Sequence, residues 1–506
     1  MQIHLDGKLV EVPVGSTLAE LIPDRDPRCS VAVIRPAPEK EEKTPFIRIV
    51  TNRGEVIVEA IDLESSIPEL IGEGHLRVQW VDRYAVAFGP FRTDMKPARK
   101  SAPYDRGDVI LGCGGYDPSR SLLVFSRIRH IADHGGAEGG GILGRVVSGR
   151  GVLDIWESGD RIERIERVVR WEDRTMSFTT TDGGFMLEDG MQLITHIRAI
   201  AEGVKDGEYN PSVARSVDHF LHAVQEGIFH VDRATSTYIR SCTISSEEVE
   251  LELKRPRREG SITVRTEGGS EGCIYIHRID IPSSLLHTMV GQVTHGIELV
   301  KLAQQGETIC IRAAPTYLDF IGMTVREAGT LADANGVTPV PDAEDPERLV
   351  IAQSPETTLE ILASRTVALE TAPEERIVAI SIADEEAPMT AQVFRDITGL
   401  RYHRIGRMPI FFKFEDTILF KPEMKSRLSI MPENTPEGEV PALSLGMTNE
   451  ARRGAGMVGV RMTDNSEFGP TGEPFEGTNI IGRVLEPEKL QKFKEKEIVY
   501  IREAVR

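Results

Sequence analysis

Residues 131–147, IADHGGAEGGGILGRVV, return near the other end of the chain as residues 467–484, EFGPTGEPFEGTNIIGRV. Gly135 with Gly144-Arg145-Val146 is echoed by Gly469 with Gly482-Arg483-Val484. A glycine-studded loop that twice runs into the same short apolar strand constrains the fold strongly, because such internal similarity marks one structural unit used twice. Aligning Asp108 with Glu439 sets the two loops opposite each other. Leu445-Gly446-Met447 then falls where Gly112 to Gly115 stand in the first copy.

The residues before each loop read as short strands. In the first copy, FIRIVTNRGEVIVEA (46–60) alternates apolar and polar around Asn52-Arg53-Gly54, the pattern of a half-buried hairpin. HLRVQWVD, YAVAFG, DVILGCGG, LLVFSRI and GILGRVV follow, with one helical patch at 62–71. In the second copy, RIVAISIADEEAP reads as a strand, MTAQVFRDITG as a helix ended by Gly399, and IFFKFEDTILF as a hairpin. Short strands with Gly-rich turns indicate a small barrel or sandwich.

At the start, QIHLDGKLVEV turns at Asp6-Gly7, and Ser16 or Thr17 with Glu20 makes a near capping box for a helix that leads to the strand VAVI (31–34). This order resembles the ubiquitin-like β-grasp modules, without the terminal Gly-Gly of the sulfur carriers, so docking is the expected use. The segment PAPEKEEKTP reads as a linker. Between the copies, a hairpin is expected at 171–183, with helices at 188–204, 211–227 (Pro211 at its start, Gly227 at its end) and 283–306. Strands are expected around ELELKR, SITVRT and CIYIHRIDI. GMTVREAGTLADANGVTPVPD with LVIAQSPETTLEI resembles a PASTA-like unit of helix, glycine, strand and strand. The expected fold class is therefore α+β and multi-domain. Its parts are an N-terminal β-grasp (1–35), a linker (36–45), a first barrel (46–150), a mixed middle domain (151–321), a PASTA-like segment (322–375) and a second barrel (376–506).

A formal charge of -19 over 506 residues speaks against a nucleic-acid partner, which needs clustered Lys and Arg to displace counterions. No long apolar run points to a membrane, and MQIHLDGKLV lacks the order of a secretion signal, so a cytoplasmic location is expected. Five cysteines without a CxxC pair signal neither a disulfide framework nor a self-contained zinc site, and reduced thiols are expected.

Few residues invite chemistry. The glycines of 135–144 lack the context of a P-loop or a dinucleotide fold and are expected to serve the backbone. Cys113 stands between Gly112 and Gly114-Gly115, where missing side chains would let a large ligand approach; a buried free thiol is the alternative. Cys242, Cys273 and Cys310 fall in strands and are expected in the core. His219 with His222, and His287 with His295, share expected helix faces as partly exposed polar positions. Lys254 to Arg258 forms a basic run suited to a solvated turn or an acidic partner.

EFGPTGEPFEGTNIIGRV and EEAPMTAQVFRDITGL resemble the small bacterial and archaeal cyclophilin-like barrels, which implies two such barrels here. Leu400-Arg401-Tyr402-His403-Arg404 is similar to the Phe-His-Arg run of the isomerases, which makes Arg404 the position matching their substrate-holding arginine; the Phe, Gln and Trp that complete their site have no counterpart. Over its whole length, through RGDVILGCGGYDP, SRIRHIADHGGAEGGGILGRVVSGRG and the terminal FGPTGEPFEGTNIIGRV, the chain resembles the methanogenesis marker protein 3 family of methanogenic archaea. That resemblance implies a non-catalytic accessory subunit of the ATP-dependent machinery that activates methyl-coenzyme M reductase. The implied partners are the reductase, an ABC-type ATPase and other methanogenesis marker proteins. No cofactor would be bound by this chain alone, but an iron-sulfur cluster at a subunit interface could take Cys113 as a ligand shared with partner chains. A prolyl isomerase acting as a folding helper and a stand-alone small-ligand binder are the alternatives.

Overall fold

Alternation sets the strands of the first barrel: in Phe46–Thr51 and Gly54–Ala60, Ile47, Ile49, Val56 and Val58 face one side and join a single apolar cluster with Phe88, Phe125 and Trp156. The computed structural model describes residues 1–35, 45–61, 67, 76–167, 177–244, 249–414, 416–422 and 429–504. Two units divide it, Met1–Thr316 and Tyr317–Arg506. The expected linker, apart from residue 45, most of the helical patch at 62–71 and the first arm of the 171–183 hairpin lie outside the described residues.

In the first unit, eight strands run in the order Ile162–Arg167, Phe46–Thr51, Gly54–Ala60, Ile142–Ser148, Asp108–Cys113, Ser121–Ser126, Ala85–Phe91 and Arg77–Val81. An Arg77–Arg161 bridge joins the two ends. The second unit holds a closed barrel in the order Ile377–Ile382, Thr478–Val484, Ser444–Thr448, Val458–Arg461, Thr417–Phe420, Gly406–Phe414 and Ile498–Glu503. From Gly54–Ala60 and Ile377–Ile382 onward, the two orders run in parallel.

Registers repeat as well. Ile142 pairs with Ile110 and Gly144 with Val109 across a bulge; Ile480 pairs with Gly446 and Gly482 with Leu445 across the same kind of bulge. Ile110 therefore corresponds to Gly446, and Asp108 to Ser444, not to Glu439. Cys113 corresponds to Asn449, beyond Leu445-Gly446-Met447. Aligning on Glu439 misplaced these positions by several residues, because Glu439 lies in the extended lead-in to the strand rather than in the strand itself.

Segment 1–35 does not complete its own sheet. Gln2–Leu5, Lys8–Glu11 and Val31–Ile34 share a five-stranded sheet with Ser177–Thr180 and Gln192–Ile194, which follow the first barrel in sequence; Gln192–Ile194 lies parallel to Gln2–Leu5. Helix Leu18–Leu21 is capped by Thr17, which forms the expected box with Glu20.

The chain is mostly β, and two expected helices are strands. Residues 188–204 split into Gln192–Ile194 in the N-terminal sheet and His196–Ala201 in a central eight-stranded sheet. Thr195 marks the crossing, its backbone N–H and hydroxyl both donating to the Asp6 carboxylate. Residues 283–306 contain strand His287–His295 and only a short helix, Ile297–Leu302. That strand is buried on both faces, so its apolar residues show no period-2 alternation and resemble a helix stripe. Gly296, at φ 80°, ends the strand; a Cβ there would sit 2.4 Å from the His196 carbonyl oxygen. The helix beginning after Pro211 is present at Ala214–Ala223, with Gly227 at φ 76°. ELELKR (250–255) is irregular, and the bridge that follows, Arg257 with Ile281, lies beyond it. In the second unit, Val325–Ala334 precedes a three-stranded sheet. The expected strand at 349–361 stops at Ser354, where Thr357 and Glu360 box a further helix, Thr358–Ser364.

Cys242 and Cys273 are bonded to each other rather than packed as free thiols, because neighbouring strands bring them together. Cys29, Cys113 and Cys310 are free. Denaturing thiol titration of unreduced protein is expected to count three thiols, and a count of five would contradict the pairing.

Candidate functional site

Both closing loops dock on the outer face of one strand pair, and glycines make the room. In the second barrel, Leu445, Met447, Val458 and Val460 point into the core, which turns Gly446 and Gly459 outward. The Phe468-Gly469-Pro470-Thr471 loop crosses there: a Cβ on Gly459 would lie 2.3 Å from the Pro470 carbonyl oxygen, and one on Gly446 3.0 Å from the Pro470 ring. The hydroxyls of Thr471 and Thr478 hydrogen-bond at 2.8 Å. In the first barrel, Gly112 faces outward beneath residue 134, where a Cβ would stand 3.0 Å from the His134 carbonyl oxygen. The backbone N–H of Cys113 donates to His134 O at 2.8 Å; at the matching place that of Asn449 donates to Gly477 O at 3.0 Å. What approaches Gly112 is thus the chain's own loop.

Cys113 is 3% exposed, and burial, with Asp117 nearby, pushes its thiol pKa up. A ligand shared with partner chains must be an exposed thiolate. These residues therefore do not fit a bridging iron-sulfur cluster. Gly114 and Gly115 are exposed, Gly115 at φ 67° with nothing near its Cβ position. Among the described residues no three His, Cys, Asp or Glu side chains converge as a metal site. Arg404 lies in the bend between helix Pro388–Thr398 and strand Gly406–Phe414, not on a strand; it is exposed, and its Cβ packs where a side chain on Gly322 would stand.

The closing loop of the first barrel also carries a cluster that sequence reading passed over. His130 and His134 meet Nε2 to Nε2 at 3.1 Å. His130 Nδ1 lies 2.9 Å from the Ile128 carbonyl, which assigns its hydrogen to Nδ1, so its Nε2 accepts from His134. Tyr104 packs 5.5 Å from His130 and 5.0 Å from His134, Trp80 stacks 5.9 Å from His134, and Tyr84 lies 5.8 Å from His130. Burial, then the neighbouring His130, push the His134 pKa down. The arrangement holds one bridging hydrogen between the two imidazoles. Its signal was the i, i+4 histidine spacing within RHIADHGG, overshadowed by the glycines that follow.

The other candidates resolve as structure. His219 Nε2 hydrogen-bonds to Gly272 O at 2.7 Å and His222 is also buried, so neither is an exposed polar-face residue. His287 is buried on a strand 3.1 Å from the Thr263 hydroxyl, and His295 faces Asp6 at 3.5 Å. In the basic run, Arg255 pairs with Glu202 at 2.7 Å and Arg258 with Asp280 at 3.6 Å, while Arg257 donates to the Pro282 carbonyl at 3.0 Å.

Residues 378–504 match a family model described as a putative peptidyl-prolyl cis-trans isomerase domain. A UPF0288 protein of Methanosarcina barkeri is 35% identical over 520 residues, covering 100% of this chain and 98% of the relative. The chain belongs to the UPF0288 family. A UPF0288 protein of Methanothermobacter thermautotrophicus is 31% identical over 100% of this chain and 98% of its own length, and one of Methanopyrus kandleri 30% identical over 96% and 95%. Among solved structures, a conserved Enterococcus faecalis protein of unknown function aligns at 19% identity and TM-score 0.15 over 18% of this chain and 26% of its own.

On the second barrel of this UPF0288 protein, strand Gly406–Phe414 turns aromatic rings to solvent. Phe411, Phe412 and Phe414 are 56%, 45% and 57% exposed. The rings of Phe412 and Phe414 stack at 6.3 Å, and the Lys421 ammonium lies 5.5 Å from the Phe411 ring. Three exposed aromatics on one short strand form an apolar patch of the kind that marks an interaction surface.

Proposed function

We propose that this UPF0288 protein is a non-catalytic accessory subunit, cytoplasmic, of the ATP-dependent machinery that activates methyl-coenzyme M reductase, and that it docks iron-sulfur-bearing partner subunits, the clusters being held by the partners. The observation that carries this reading is the exposed aromatic strand Phe411-Phe412-Phe414, a surface whose hydrophobic area favours a covering partner. Full-length kinship with proteins of methanogenic archaea supports the setting. In the five-stranded sheet the fifth strand stands between the first and third and runs parallel to the first, an order that supports the β-grasp reading and hence a docking role, with the first barrel inserted between its third and fourth strands. The shared strand order of the two barrels supports the cyclophilin-like reading. Glutamate at both Phe412 and Phe414 is expected to abolish co-purification of the reductase and its ATPase while leaving the Tm of the isolated protein within a few degrees.

The isomerase reading rests on the match over residues 378–504. Arg404 sits in a bend against Gly322 and not on a barrel strand. Turnover of proline peptides is therefore expected to stay at the uncatalysed rate, and catalysis that Arg404→Ala removes would instead establish the isomerase.

A further inference from the structure

Three sheets of the first unit enclose a cavity of about 690 Å³. The N-terminal sheet contributes Ile34 and Ser177, the outer face of the first barrel Phe46, Ile57 and Val147, and the central sheet with its short helix Arg278, Glu298 and Lys301. Volumes of this size at the junction of structural layers suit small organic ligands.

Two chemically different sides face each other. Phe46 and Ile57, 5% and 2% exposed, pack with Val147 into an apolar floor. Opposite stand charged groups whose partners leave an excess of positive charge. Lys301 pairs with Glu259 at 3.1 Å, and Glu259 also accepts the Gly149 backbone N–H at 2.8 Å. Asp280 pairs with Arg106 and Arg258 at 3.8 and 3.6 Å. Arg278 donates to three backbone carbonyls, those of Thr235, Val300 and Ala303, and among the described residues no carboxylate pairs with it. A guanidinium has five N–H donors, so two remain to be used. Arg150, bonded to Val146 O at 2.8 Å, likewise has no carboxylate partner among the described residues.

Glu298 supplies the second observation. It is 2% exposed and lines the cavity, and its Oε2 has no hydrogen-bond partner among the described residues. A buried carboxyl oxygen without a partner costs free energy unless a ligand satisfies it. Burial, and then the nearby Glu55, push the Glu298 pKa up, which favours its protonated form and eases the approach of an anionic ligand.

We propose that this cavity binds a small amphipathic organic acid, whose apolar body lies on Phe46, Ile57 and Val147 and whose carboxylate is held by Arg278 and the Glu298 carboxyl. The site is separate from the Phe411-Phe412-Phe414 strand and does not depend on the accessory role.

Calorimetric titration of the full-length protein with octanoate, and in parallel with octanamide as its neutral counterpart, tests the assignment. Octanoate is expected to bind saturably at one site and octanamide about tenfold or more weakly, the loss that follows when a charge-assisted contact is removed. Arg278→Gln is expected to reduce the octanoate preference to near unity. Because Arg278 also holds three carbonyls, Ser236→Trp at the exposed rim provides a second variant that blocks entry without removing an internal hydrogen bond. It should abolish binding while leaving the Tm unchanged. Absence of octanoate binding, equal affinity for octanamide, or undiminished binding by a folded Ser236→Trp protein would each overturn the proposal.

Discussion

Gly459→Val is expected to unfold the second barrel at temperatures where the wild-type protein stays native. Gly459 lies within strand Val458–Arg461, paired on both sides to Leu419 and Gly446, so the strand cannot slide away. A Cβ at this position would stand 2.3 Å from the Pro470 carbonyl oxygen and 2.8 Å from the Thr471 Cα. Both contacts are backbone, and neither can rotate aside. Relief requires lifting the 468–471 loop, which would break the Thr471–Thr478 hydrogen bond and expose the strand beneath it. Overpacking with forced backbone movement costs about 3 kcal/mol or more. In a unit of this size that corresponds to a fall in Tm of about 10 °C. Gly329→Ala in helix Val325–Ala334, where nothing lies within 4 Å of the added Cβ, is the control, and it should stabilise by about 0.5–1 kcal/mol through helix propensity. Equal Tm values for Gly459→Val and wild type would show that the loop does not lie where this account puts it.

Acidification is expected to weaken the first unit strongly between pH 6.5 and 4. His277 and His287 are 0% and 7% exposed and share the Thr263 hydroxyl at 3.0 and 3.1 Å. Burial, with Arg257 adding to it, pushes their pKa values down to about 3 and about 4. The unfolded chain takes up these two protons near pH 6.5, while the folded protein refuses them until pH 4 and below. The unfolded state therefore binds more protons throughout that window, and stability falls as pH falls. Each proton contributes a slope of about 1.4 kcal/mol per pH unit. Glu298 works in the opposite direction, since its raised pKa lets the folded protein gain stability on protonation as pH falls toward 4.5. His295 is also raised, but its stabilisation is already complete below the unfolded pKa of about 6.5 and adds no slope there. His277 and His287 by themselves contribute up to about 2.7 kcal/mol per pH unit, large against the whole stability of a domain, and His134 and His4, whose pKa values burial also pushes down, add in the same direction. Urea unfolding at pH 7, 6 and 5 measures the slope, and His277→Gln should remove about one proton from it. A stability that stays flat from pH 6.5 to 5 would contradict the burial of this pair.

The sequence made some elements legible and hid others for physical reasons. Phe46–Thr51 and Gly54–Ala60, although buried on both faces, announced themselves by β-branched runs on either side of the Asn52-Arg53-Gly54 turn, and helix Pro388–Thr398 by its period and by Gly399 at φ 82°. A buried strand without such a turn did not. His287–His295 lacks alternation because sheet neighbours and covering residues leave neither side to water, and its apolar residues then imitate a helix. The N-terminal sheet could not be completed from residues 1–35, since two of its strands come from beyond the first barrel, and local pattern carries no information about such distant pairing. The repeated loop was readable as a fold marker, but its register was not: only the ladder assigns Cys113 opposite Asn449. The His130–His134 pair was visible as letters, whereas the Trp80 and Tyr104 rings that close around it come from separate strands. The cavity at Glu298 was hidden altogether, for it is assembled from three sheets.

Under the proposed function, this UPF0288 protein docks onto the activation machinery of methyl-coenzyme M reductase through the second barrel. Affinity purification of the full-length tagged protein from native methanogen lysate, followed by quantification of reductase and ABC-type ATPase subunits, measures this directly. The account predicts both at a fixed ratio to the tagged chain, and a loss of about tenfold or more when Phe412 and Phe414 are both glutamate, as expected for removing central aromatic anchors from an interface. Wild-type protein recovered without reductase or ATPase, or recovered with both equally well in the glutamate variant, would contradict it.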